Sequence, residues 1–159
     1  MMVVDASAII AIMFEEPEAP DCMAALQAGD SRLISAVNYV EAGTVMAGRI
    51  RDGDRREAIA DLDAFLADFR ISIASIDDNL ARAAMRARLD YGKVFGTRGG
   101  LNFGDCFAYA LAKRHSAPAS VCRRRFRADR RSIRIVTIAA ESSRMAKKWR
   151  GQERTREKE

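Results

Sequence analysis

Apolar positions along the chain follow two rhythms. Met1-Met2-Val3-Val4 is a short unbroken apolar run, and Ile71-Ser72-Ile73-Ala74-Ser75-Ile76 sets apolar side chains two apart, so both read as strands. Elsewhere apolar residues recur at spacings of three and four. That pattern predicts helices near 7–14, 18–28, 36–51, 54–68 and 78–91, the last introduced by Asp77-Asp78. A short strand is expected at 32–34, a helix over 106–113, and a further strand over 133–138. Strands alternating with helices predict an α/β fold with a parallel sheet flanked by helices.

Three acids interrupt this apolar pattern. Asp5 ends the first strand, where open α/β sheets place their ligands, and it can equally be the N-cap of the helix that follows. Asp105 stands in Leu101-Asn102-Phe103-Gly104-Asp105-Cys106-Phe107-Ala108-Tyr109-Ala110, at the mouth of an apolar helix. Capping that helix or occupying its first turn is the plain reading of this carboxylate. Glu41 follows Val37 and Val40 in a helical segment, facing either solvent or a cleft. If Asp5, Glu41 and Asp105 converge, they form a hard-oxygen site suited to Mg²⁺ or Mn²⁺.

The opening Val3-Val4-Asp5-Ala6-Ser7-Ala8, the helical Glu41 and above all Leu101 to Ala112 resemble the PIN-domain toxins of bacterial toxin–antitoxin pairs, the VapC type. The resemblance covers residues 1 to about 118. It implies a three-layer α/β/α domain with a central parallel sheet and a metal-dependent endoribonuclease silenced by a cognate antitoxin. Acids matching Asp5, Glu41 and Asp105 surround the metal in that family, with a small hydroxyl residue, here Ser7, supporting them. The implied reaction is phosphodiester hydrolysis by metal-activated water. Homodimerisation and an antitoxin groove are also implied.

Composition narrows the chemistry further. His115 is the single histidine, beside Arg114 at a helix end, so a two-histidine ribonuclease is excluded. Cys22, Cys106 and Cys122 are odd in number and lack zinc spacing, and they read as reduced, partly buried thiols. Gly92 to Gly100 forms a glycine-rich loop without nucleotide-binding spacing, in which Lys93 and Arg98 are candidates to hold RNA phosphates. No secretion signal and no apolar run near membrane-spanning length is found, which leads to the expectation of one cytoplasmic domain.

The charge is divided unevenly. Residues 1–118 carry 13 Lys and Arg against 17 Asp and Glu, a net of −4, whereas residues 119–159 carry 14 against 5, a net of +9. The domain is therefore assigned to residues 1–138, with 118–138 divergent from the family pattern. Residues 139–159 are expected to be a basic, disordered tail. Where the family resemblance implies a turn like Gly-Asp-Asp-Phe-Ala-Arg-Thr-Asp carrying the last acid, residues 123–130 read Arg-Arg-Arg-Phe-Arg-Ala-Asp-Arg. Codons exist for the family turn that give this order when read one base early, so a frameshift between about Ala112 and Cys122 is one origin for it. An evolved basic arm for nucleic acid is the other.

Overall fold

A computed structural model of the chain describes residues 1–50, 54–95, 100–116, 119–121 and 136–137. Strands β1 (Met2–Val4), β2 (Arg32–Ser35), β3 (Ile71–Ala74), β4 (Ala119–Val121) and β5 (Val136–Thr137) form a parallel sheet in the order β3-β2-β1-β4-β5. The register pairs Met2 with Arg32 and Val3 with both Leu33 and Ala119. Helices α1 (Ala6–Met13), α2 (Ala19–Ala28), α3 (Ala36–Arg49), α4 (Arg55–Asp68), α5 (Asp78–Tyr91) and α6 (Phe103–Arg114) complete the described elements.

Successive strand residues face opposite sides of the sheet, and the core divides accordingly. Met2, Val4, Ile34 and Ile71 join a cluster with residues of α1, α2, α3 and α4, including Ile9, Leu26, Met46 and Leu62. Val3 faces the other way and packs with Leu80, Ala84, Leu101, Ala108 and Leu111 of the α5 and α6 layer. These two clusters make the three layers that the sequence resemblance implied. Burying a side chain such as Leu62 contributes roughly 1.5–3 kcal/mol.

Helix ends are fixed by particular side chains. Arg32 donates from Nε to the Leu26 carbonyl (2.6 Å) and from Nη1 to the Phe69 carbonyl (2.8 Å), so one guanidinium serves the C-terminal ends of α2 and α4. Asp77 caps α5 by accepting from the Leu80 N–H at 2.7 Å. Arg114, in the last turn of α6, grips both oxygens of that carboxylate at 3.0 and 2.5 Å. The Arg114 guanidinium and the Leu80 N–H hold the Asp77 carboxyl below its usual range.

Several boundaries differ from those expected. Helix α6 begins at Phe103, three residues before the predicted start, because Asn102 caps it. Strand β3 ends at Ala74, and of the run 133–138 the described residues Val136–Thr137 form β5. Cys22 is buried, Cys106 is a buried free thiol whose pKa burial pushes up, and Cys122 lies outside the described residues. Phe14, which follows α1, is 37% exposed. Arg98, residues 123–130 and the tail 139–159 lie outside the described residues. Among the described residues, no helix is long and apolar enough to cross a membrane.

Candidate active site

Parallel strands bring their carboxyl ends to the same edge of the sheet. The chain moves outward from β1 to β2 to β3, then crosses to the other side of β1 to lay down β4. Connections therefore part at the β1/β4 boundary, the position at which open α/β sheets form ligand crevices. Asp5 is the first residue beyond β1.

Asp5 is 3% exposed and does two jobs at once. As the N-cap of α1 it accepts from the Ser7 N–H at 3.0 Å and the Ser7 hydroxyl at 2.5 Å, both through Oδ2. Its Oδ1 accepts from Asn38 Nδ2 at 2.8 Å. Both readings of this residue, strand-end acid and helix cap, describe the same geometry.

Asn38 lies on the first turn of α3 and is fully buried. Ser35, the N-cap of α3, donates its hydroxyl to Asn38 Oδ1 at 2.5 Å and accepts from the Asn38 N–H at 3.1 Å. Engaging Oδ1 in this way fixes which end of the amide meets Asp5. One turn further along, Glu41 is half-buried and its Oε2 lies against the bare Cα of Gly104, where a built Cβ would overlap it and also approach Asn38 Nδ2 at 3.1 Å. Glycine is the residue that admits this approach.

Asp105 follows immediately on α6 and is 7% exposed. Instead of capping the helix itself, it occupies the third helical position of a capping box, where its Oδ2 accepts from the Asn102 N–H at 2.7 Å. Asn38 and Gly104 thus link Asp5 to Glu41, and Asp105 is the residue next to Gly104 in the chain. Beside them opens a cleft of about 220 Å³ whose lining includes Asp5, Ser7, Glu41 and Asn102, together with Glu16, Glu18 and Arg49.

The donor atoms are carboxylate oxygens, which suit a hard divalent cation. The residues fit such an ion in their donor chemistry, while among the described residues no group of three His, Cys, Asp or Glu side chains is placed to hold one. Of the RNA-binding candidates, Lys93 is exposed beyond α5, with its N–H bonded to the Leu101 carbonyl, and it is not among the cleft-lining residues. Arg98 lies outside the described residues.

Asn38, Asn102 and Arg49 were not singled out from the sequence. Asn102 carried a local signal, because Asn-x-x-Asp has the spacing of a capping box. Asn38 carried none, since its partner Asp5 is 33 residues away. Asn38→Ala is expected to cost about 1–2 kcal/mol by removing a buried hydrogen-bond donor and leaving space behind. Urea unfolding checks this, with an earlier midpoint at unchanged slope as the expected result.

The family model of the PIN domain matches residues 2–136, and the chain belongs to that family. Ribonuclease VapC30 of Mycobacterium tuberculosis is 38% identical over 117 residues, covering 74% of this chain and 86% of that protein. Among solved structures, a toxin–antitoxin complex from Klebsiella pneumoniae aligns with a TM-score of 0.61 at 16% identity, covering 84% of this chain and 95% of that one. Mycobacterium tuberculosis VapC20, described as a Sarcin-Ricin loop cleaving toxin, aligns with a TM-score of 0.59 at 13% identity, covering 75% and 87%. The last two likenesses concern the fold.

Proposed function

We propose that this chain is an endoribonuclease toxin of a type II toxin–antitoxin pair, hydrolysing RNA phosphodiester bonds in the cleft beside Asp5, Glu41 and Asp105. The observation that carries the reading is the buried Asp5 at the end of β1, bonded to Asn38, with Glu41 packed against Gly104 in a PIN-family chain. Identity of 38% to a protein named a ribonuclease supports RNA as the substrate class.

Asp5, Glu41 and Asp105 would hold Mg²⁺ or Mn²⁺. Such an ion lowers the pKa of bound water and offsets charge developing on phosphate oxygens. The chain's own residues supply orientation. Ser7 and Asn38 grip opposite oxygens of Asp5, and the Asn102 N–H anchors Asp105 through one oxygen. Gly104 keeps space for Glu41. Water is the nucleophile in this reading, and His115, exposed at the far end of α6, takes no part. Lys93, which does not line the cleft, and Arg98 remain proposed phosphate contacts. A cognate antitoxin, a homodimeric state and a cytoplasmic location belong to the same reading, with no membrane association.

A second reading rests on residues 123–130, where arginines stand at the place of the family's acidic turn. Cations near a divalent-metal site weaken its hold on the metal, which would leave a PIN domain that binds its antitoxin or RNA without cutting. One experiment separates the two. The purified chain and a version carrying Gly-Asp-Asp-Phe-Ala-Arg-Thr-Asp at 123–130 are incubated with a mixed RNA pool in Mg²⁺ or Mn²⁺. Cleavage by the native chain that EDTA abolishes and added metal restores is the expected result. Cleavage by the altered version alone identifies a disarmed toxin, and cleavage by neither overturns the ribonuclease assignment.

A further inference from the structure

We infer that Arg49 is a phosphate-binding arm for the RNA strand, held at the cleft by Glu16 until a phosphate displaces that carboxylate. The inference rests on the ribonuclease reading above and deepens it. Among the described residues lining the cleft, Arg49 is the one cation, set against Asp5, Glu16, Glu18 and Glu41. An RNA strand entering there meets four carboxylates, so a local positive charge determines whether its backbone can settle.

Helical spacing gives Arg49 its place. Glu41, Val45 and Arg49 recur every four residues on α3, and all three line the cleft. Eight residues of helix separate Glu41 from Arg49 by about 12 Å along the axis. The phosphate that Arg49 takes is therefore a neighbour of the one cleaved beside Glu41, and the contact sets the position of the strand.

The arm is presented ready for use. Its guanidinium carbon lies 4.2 Å from the centroid of the Phe14 ring, and Nη2 meets Glu16 Oε1 at 2.8 Å. Stacking on Phe14 supports the flat face of the guanidinium while its edge can meet an anion, the geometry in which arginine binds phosphate. Helix α1 ends at Phe14, and Glu15 takes a left-handed backbone conformation (φ 51°) that turns the chain toward Glu16. The Arg49 and Glu16 side chains are 42% and 36% exposed, so the pair adds little to stability and can exchange partners with an entering anion.

Binding of a fluorescent, single-stranded 2′-O-methyl RNA of random sequence, measured by anisotropy in EDTA, tests the assignment without catalysis. Arg49→Ala is expected to weaken binding about tenfold and to reduce the log–log salt slope by about 0.7, the loss of one phosphate contact. Arg49→Lys should fall between the two. Glu16→Gln should tighten binding about two- to threefold, because it removes the competing charge without the contact. Opposite shifts from Arg49→Ala and Glu16→Gln, with melting temperatures close to the parent, support the assignment. A pair acting only as a strap predicts shifts in the same direction, and that result overturns it. If the parent binds and Arg49→Ala matches it in affinity and slope, the Arg49 assignment alone falls; if the parent does not bind this RNA, the ribonuclease reading falls with it.

Discussion

Asp105→Asn is expected to fold like the parent and to cut RNA about a hundredfold more slowly or worse. The amide oxygen of asparagine can still accept the Asn102 N–H that Asp105 Oδ2 accepts at 2.7 Å, so the start of α6 keeps its capping bond. What disappears is a negative charge at a buried position beside Glu41. Asp105→Ala removes the charge and the cap together and should also lose about 1 kcal/mol of stability. Melting temperatures and fragment yields from an RNA pool separate the effects: both variants lose cleavage, and only alanine lowers the melting point appreciably. Parent-like cleavage by Asp105→Asn would remove Asp105 from the site.

Gly104→Ala reaches the same place from the backbone. A methyl group there overlaps Glu41 Oε2, so either Glu41 swings away or α6 shifts from α3. Overpacking of this kind costs about 1–3 kcal/mol. Cleavage should fall at least tenfold with it, because relieving the overlap moves an acid. Combining Gly104→Ala with Glu41→Ala removes the obstructing carboxylate, and the double variant should recover most of the lost stability without recovering cleavage. Additive destabilisation of the two changes would mean that the contact does not set the position of Glu41.

Much of the fold was legible in local patterns. The apolar run ending in Asp5 and the alternation over Ile71 to Ile76 gave strands, and three-and-four spacing gave helices whose described ends lie within a few residues of expectation. Strand order, and with it the crevice at β1, needed pairings between segments far apart in sequence, which no local pattern carries. Asp5 and Asp105 stood out because carboxylates are rare beside apolar strands and helices. Asn38 did not, since an asparagine in a helix looks ordinary until its distant acceptor is known. The place of Phe14 was not legible for a related reason: its ring lies under the guanidinium of Arg49, 35 residues further along the chain. The capping box was readable, yet the glycine beside Asp105 suggested that the helix began later.

Helix α6 is secured at its two ends by different means, through Asn102 and Asp105 at the start and through Arg114 and Asp77 at the finish. Each of these contacts is made before residue 117. The acid at the head of the helix thus has its anchors upstream of the segment where the charge of the chain reverses. Changes confined to that later segment therefore leave this anchoring of the helix in place.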